Sequence, residues 1–349
     1  MSCGLGLVLI LGSACSQVSY VTHVGIGQMR VLRAREPLTP ERIAQLSPEE
    51  QRGLAALKQA LALAESLGLG HSTSYRHLIE RSVDESIHVV VVAPAQRLEP
   101  VTWWFPIVGR VAYRGYFDPT RAQNFAQGLA RQGFDTYVRP ALLYSTLGWF
   151  DDPVPRTLLR WSPAAIVVTI VHELVHEAIF VKNDTAYNEA LATFIAHHAA
   201  LEHFAEQPLQ IETVRDGYAD QRLFAQLLAD LSSELNALYE RELSAQDARS
   251  AREIIFQRYQ QGRYPSLRWQ TLRYEGFQGI ALSNAYVLAN RTYLGNLPCF
   301  ERELAELEGD LRAFVREHKT QPGRHTDAQE CAPSATGGEP QWVADPSSL

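Results

Sequence analysis

The chain has 349 residues, of which 46% are hydrophobic and 20% are charged, as in an ordinary globular protein that buries a substantial core. Its formal net charge of -7 excludes a general nucleic-acid surface, because phosphate binding needs clustered positive charge. We therefore expect no nucleic-acid partner, and the charge gives no reason to expect binding to an anionic membrane surface.

The first residues are typical of a targeting segment. An apolar run from Leu5 to Leu11 is too short to span a bilayer and resembles a signal-peptide core. The following LGSAC is similar to the bacterial lipobox, so we expect residues 1–15 to be a lipoprotein signal peptide and Cys15 to carry the lipid. Two features depart from this pattern, since no Lys or Arg precedes the run and Gly12 replaces the usual leucine. The alternatives are a plain secretory signal and a buried N-terminal strand.

Residues 16–86 are predicted to form an N-terminal helical region. Two helix starts, TPER and SPEEQ, each place Thr or Ser at the N-cap, proline at the first helical position and acids in the first turn. The second helix has leucines and alanines at helical spacing and ends in glycines. This pattern indicates a packing element.

Residues 87–150 are predicted to form a small mixed sheet. IHVVVVA and FPIVGRVAYRGYF are rich in β-branched and aromatic residues, a helix is expected from Asp118 to about Gly133, and FDTYVRPALLYST returns to extended structure, interrupted by Pro140. A mainly helical part, 151–319, follows, and the Pro-, Gly- and Ser-rich residues 320–349 indicate a disordered tail. This order predicts an α+β fold whose sheet packs against a mainly helical body.

The sequence HELVH at 172–176 fits the pattern H-E-x-x-H and lies in an apolar segment. On a helix, residues four apart share a face, so the imidazoles of His172 and His176 can bind one metal ion. Glu173 lies about 100° around the helix, close enough to take a proton from a water at the metal. This division of labour is typical of zinc hydrolases. The alternative is that these side chains satisfy one another and nearby carbonyls in the core.

Glu189 is the predicted third ligand. If the first helix ends near Val181, Lys182 and Asn183 turn the chain, and Asp184 or Thr185 is the N-cap of the next helix, then His176 and Glu189 both lie ~6–8 Å from the turn. Glu189 would then complete a zinc site whose fourth position is open to water. The alternative is a solvated helix charge. Three rival ligands lie two or more turns further along, where we expect them to face solvent or the sheet: His197, His198 and His203.

Four stretches resemble a family of bacterial lipoproteins that are predicted to be aminopeptidases: VAYRGYF, YSTLGWFDDP, HELVH and VKNDTAYNEALATF. The likeness extends from about residue 74 to about residue 307, and H-E-x-x-H with a glutamate on the next helix is the gluzincin pattern. The resemblance implies a zincin-like fold, one Zn²⁺ ion held by His172, His176 and Glu189, and Glu173 as general base and acid. It also implies a peptide substrate and aminopeptidase activity.

Other roles are expected around this centre. Peptide hydrolysis needs a donor to the tetrahedral oxyanion, and Tyr187 or Tyr293 is a candidate, Tyr293 matching a tyrosine of the family pattern. The alternative for both is an ordinary core position. YSTLGWFDDP is a candidate edge strand for an extended substrate, whose α-amine Asp151 and Asp152 would bind. The alternative is that these two residues cap the next helix.

Together these expectations describe a zinc peptidase domain at 87–319. Its alternatives are a zinc endopeptidase of the cell envelope and a non-catalytic lipoprotein that is stabilised by a metal and binds a partner. Ser16 after Cys15 favours the outer membrane, with the protein facing the periplasm and touching the membrane through its lipid alone.

Overall fold

The computed structural model describes residues 20–80, 87–105, 108–141, 143–291 and 297–323. Cys15, the rest of the predicted signal peptide, and Tyr293 lie outside these ranges, as does the predicted tail beyond residue 323. None of the helices within the described ranges has both the length and the apolar character needed to cross a membrane.

Helices form most of the described chain. In chain order they are α1 (20–34), α2 (Pro40–Ala44), α3 (Pro48–Ser66), α4 (Pro119–Ala130), α5 (Pro163–Ala178), α6 (Thr185–His203), α7 (Pro208–Tyr239), α8 (Ala245–Arg258), α9 (Tyr264–Ser266), α10 (Asn284–Arg291), α11 (Leu297–Glu306) and α12 (Leu311–Thr320). The strands are β1 (Glu36–Pro37), β2 (His77–Ile79), β3 (Ile87–Pro94), β4 (Trp103–Phe105), β5 (Gly109–Val111), β6 (Tyr113–Tyr116), β7 (Phe134–Ala141) and β8 (Val154–Pro155).

The predicted helix starts are confirmed at atomic detail. Thr39 caps α2, and Ser47 and Glu50 form a capping box on α3, in which each side chain binds the other residue's backbone N–H at 3.2 and 2.9 Å. Gly68, directly after α3, takes a left-handed φ of 81° that ends the helix, as its glycines predict. At the start of α4, the side chain of Asp118 is the N-cap.

The described strands form three small sheets, where the sequence predicts one. β3 lies between β6 and β7, antiparallel to both; β2 joins β1 to β8; and β4 and β5 form a hairpin. Val90 and Val92 pack on α4, while Val89 and Val91 pack on the α10 side. Pro140 does not interrupt β7, because this strand is at an edge where a missing N–H is tolerated.

The main core surrounds α5, which packs against both α3 and α6. The side chains of Ile166, Val167, Ile170 and Val171 have no exposed surface, so the helix is enclosed on several faces. Gly53 of α3 allows a close approach, since a Cβ there would overlap the backbone carbonyl of Leu159, just before α5. The helix that contains the H-E-x-x-H sequence is therefore held in place by its packing against α3 and α6.

Candidate metal and catalytic centre

The centre is built on the α5–α6 hairpin. α5 ends at Ala178, three residues before the predicted end, and the chain turns through Asn183, which has a left-handed φ of 70°. Asp184 caps α6, as predicted. Asn188 then fixes the connection, because its side chain accepts from the Val181 N–H and donates to the Val181 carbonyl, both at 2.8 Å.

Three ligand atoms converge at this hairpin. His172 Nε2 lies 3.2 Å from His176 Nε2 and 3.3 Å from Glu189 Oε2, and His176 Nε2 lies 3.6 Å from the same oxygen. Ligands ~2.0–2.2 Å from a tetrahedrally coordinated ion are separated by ~3.3–3.6 Å. The observed separations therefore suit one such ion. Within the described ranges, these three residues form the set of His, Cys, Asp and Glu whose ligand atoms all lie within 4.8 Å of one another.

The electrostatics of this set suit a cation. Burial opposes ionisation of Glu189, but the imidazoles of His176 and His172 outweigh it, so the pKa of Glu189 is lowered. Burial also opposes protonation of His176, yet Glu189 and Glu173 outweigh it and raise its pKa. Without a metal, Glu189 thus favours a proton on His176. A bound divalent ion would replace that proton.

Glu173 lies beside the set without joining it. The side chain is half-buried, and its pKa is raised by burial of the carboxylate, against the opposing effect of His172 and His176. A carboxylate with a raised pKa is a stronger proton acceptor. Its position and basicity are those that a general base needs.

The three rival histidines lie outside this set. His197 is buried, its Nδ1 lies 2.9 Å from the Thr193 carbonyl, and its ring stacks on Tyr218 at 5.0 Å. His198 meets the same tyrosine edge-on, and His203 contacts Phe204. The expectation that these histidines face solvent or the sheet is wrong for His197, because α7 covers it.

Tyr187 lies in the core beside α12. Its hydroxyl is 2.7 Å from His318 Nδ1, and His318 Nε2 is 3.2 Å from Glu303 Oε2. Both Tyr187 and His318 are almost fully enclosed. These contacts link α6 to α11 and α12.

The segment YSTLGWFDDP is a turn and not an edge strand, because Leu147 and Gly148 both take left-handed backbone angles. Asp151 pairs with Arg35 at 3.5 Å and accepts a hydrogen bond from Thr73. Asp152 is 1% exposed, and its Oδ2 accepts from the N–H and hydroxyl of Thr146 at 2.6 and 2.8 Å. Neither aspartate caps a helix, since Ser162 caps α5 and the short 3₁₀ turn before it has no side-chain cap.

Two residues near Glu173 were not predicted from the sequence. Glu177 accepts a hydrogen bond from Ser72 Oγ at 2.7 Å, and its helical spacing of four from Glu173 was an available signal. Tyr75 is fully buried, and the carboxylates of Glu173, Asp152 and Glu177 add to burial in raising its pKa. The position of Tyr75 depends on contacts distant in sequence, so no local pattern indicates it.

No curated protein and no solved structure matches this chain. The model of the family described as "Putative aminopeptidase" matches residues 19–330, which include all the site residues that the structure describes. The family's name suggests aminopeptidase activity. Because the match covers most of the sequence, the chain belongs to this aminopeptidase-like family.

Proposed function

We propose that the protein is a zinc-dependent aminopeptidase with a zincin-like, gluzincin-type centre, in which His172, His176 and Glu189 hold one Zn²⁺ ion. The observation that carries the proposal is the triangle of ligand atoms with sides of 3.2, 3.3 and 3.6 Å. Two nitrogens and one carboxylate oxygen are a typical catalytic zinc set that leaves a position for water.

When bound, Zn²⁺ supplies Lewis-acid chemistry that polarises a carbonyl and makes a water acidic near neutral pH. Glu173 takes the proton of the attacking water on its carboxylate and later delivers that proton to the nitrogen of the leaving amine. Enclosure of the hairpin holds both histidines in place for this transfer. The family match supports a peptide as the substrate.

The test is a zinc measurement joined to one substitution. The purified protein should hold one zinc per chain, and Glu173→Gln should keep that zinc while hydrolysis of peptides falls ~10²–10⁴-fold, because the general base is lost. Glu202→Gln is the matched control, since Glu202 lies on α6 roughly 20 Å beyond Glu189. A protein without stoichiometric zinc, or a Glu173→Gln variant with full activity, contradicts the proposal.

We also propose that Cys15 is lipidated and anchors the protein to the outer membrane, facing the periplasm. The support is the LGSAC sequence and Ser16. Labelled palmitate should enter the wild-type protein and not Cys15→Ala, which should move to the soluble periplasmic fraction. Equal labelling of the two proteins contradicts the anchor.

A further inference from the structure

We propose that Glu177, Asp152 and Tyr75 form a subsite that binds the α-ammonium group of a peptide's first residue. This inference rests on the proposed function, because it adds recognition of a free N-terminus to the hydrolytic centre. It names Glu177 and Tyr75, which the sequence pattern did not single out.

Glu177 occupies a position beside the catalytic centre. It follows His176 directly and lies one helical turn after Glu173 on the same face of α5. Its Oε2 accepts from Ser72 Oγ at 2.7 Å, and a Cβ built on Gly148 would lie 3.9 Å from that oxygen. Its Oε1 is enclosed and makes no hydrogen bond. The carboxylate therefore lies between residues 72–76 and the turn at 145–150, with one oxygen unpaired.

Asp152 and Tyr75 are joined by their backbones. The Tyr75 N–H donates to the Asp152 carbonyl at 2.6 Å, and the Asp152 N–H donates to Ser74 Oγ at 3.2 Å. Tyr75 has a left-handed φ of 61°, an unusual conformation for an aromatic residue and one that is common at functional sites. Asp152 Oδ1 is enclosed and makes no hydrogen bond, and the enclosed Tyr75 hydroxyl interacts with the side chain of Ser145.

The sign of the charge identifies the ligand. Enclosed carboxylate oxygens without partners cost free energy, and a cation with several N–H donors would satisfy them. The negative charge of Glu177 and Asp152 attracts a cation, and the Tyr75 hydroxyl can accept from an ammonium group. These carboxylates do not form a second three-ligand metal set within the described ranges. An ammonium group, with three donors, can bind the unpaired oxygens of Glu177 and Asp152 and a lone pair of the Tyr75 hydroxyl.

The experiment compares free and blocked amines in the zinc-loaded full chain. L-leucinamide and N-acetyl-L-leucinamide are tested as ligands by calorimetry, and one peptide is tested as a substrate with its N-terminus free or acetylated. The variants are Glu177→Gln, which keeps an oxygen for Ser72, and Tyr75→Phe, which removes the hydroxyl alone. Glu202→Gln is the control, and zinc content is measured for each.

We expect the wild type to prefer the free amine. Glu177→Gln should weaken L-leucinamide binding and raise KM for the free peptide by roughly ten- to a hundredfold, with a much smaller change in kcat, unchanged zinc and unchanged binding of N-acetyl-L-leucinamide. Tyr75→Phe should shift KM in the same direction by less.

Equal binding of L-leucinamide by wild type and Glu177→Gln overturns the subsite. Equal cleavage of free and acetylated peptides by the wild type also overturns it, while leaving the zinc hydrolase intact. Loss of zinc, or full activity in Glu173→Gln, instead contradicts the proposed function, so the two failures are distinguishable.

Discussion

Asp152 shows how a single residue can cost stability next to the candidate catalytic centre. It is 1% exposed, and burial raises its pKa from 3.8 to about 6, with Glu177 and Glu173 adding to the effect and Thr146 opposing it. A carboxyl group whose pKa is higher in the folded state disfavours folding when it is ionised. The folded protein therefore carries this charge at neutral pH at the expense of stability.

We predict that Asp152→Asn stabilises the protein at pH 7–8. A pKa raised from 3.8 to about 6 corresponds to ~3 kcal/mol of lost stability above pH 6, and the loss shrinks as pH falls through 6 towards 4, because the folded state takes up the proton first. Denaturant unfolding of both proteins at pH 5 and pH 8 measures this. A variant no more stable than the wild type at pH 8 contradicts the prediction.

Among single residues, the candidate site residues were predictable and their surroundings were not. His172, Glu173 and His176 are related by helical spacing alone, and Glu189 by a short turn, so local counting places all four. Tyr75 meets Asp152 through a contact between distant parts of the chain, which no local pattern specifies.

At the scale of helices, α3 lies close to the segment before α5 at Gly53. We predict that Gly53→Ala destabilises the protein by ~1–3 kcal/mol despite the better helix propensity of alanine, because its Cβ would overlap the Leu159 carbonyl. Gly128→Ala in α4 is the matched control. Its Cβ would meet nothing within 4 Å, so it should stabilise by up to ~1 kcal/mol. Thermal unfolding measures the change in stability for each variant. If both substitutions change stability in the same direction, the packing argument is wrong.

The contact between Tyr187 of α6 and His318 of α12 gives a second prediction about helix packing. Tyr187→Phe removes the hydroxyl that contacts His318 Nδ1 in the core, so the free energy of unfolding should fall by ~1–3 kcal/mol. Because this contact points away from the ligand set, kcat and KM should stay within a few-fold of the wild type. A large fall in kcat with unchanged stability would instead assign Tyr187 to the oxyanion.

Helix starts were well predicted because N-capping is local: Thr39, Ser47, Asp118 and Asp184 each cap the expected helix. Extended segments were predicted less well. YSTLGWFDDP has strand-like residues but folds as a turn, since two left-handed residues and the Thr146–Asp152 contacts fix it. Short strands take their pairing from distant partners, so their division into three sheets was not predictable.

For the whole molecule, we predict that metal removal leaves the protein folded but less stable. The core around α5 contains many apolar side chains that do not depend on an ion. Zinc at a free concentration a thousandfold above its Kd stabilises by about 4 kcal/mol, so chelation should lower Tm by several degrees and added zinc should restore it. Circular dichroism and calorimetry check this. Loss of helical signal on chelation would show that the fold requires the metal.

The two hydrogen bonds between the Asn188 side chain and the Val181 backbone affect the order in which parts of the protein fold. All the predicted ligands lie within residues 172–189. The hydrogen bonds between Asn188 and Val181, which are seven residues apart in sequence, close the hairpin that carries these ligands. Contacts of such short sequence separation form early in folding, before distant segments such as 72–76 have joined. If the proposed zinc site is correct, the folding chain would be able to bind the ion at this hairpin before residues 72–76 have joined it, so metal loading would precede the appearance of activity.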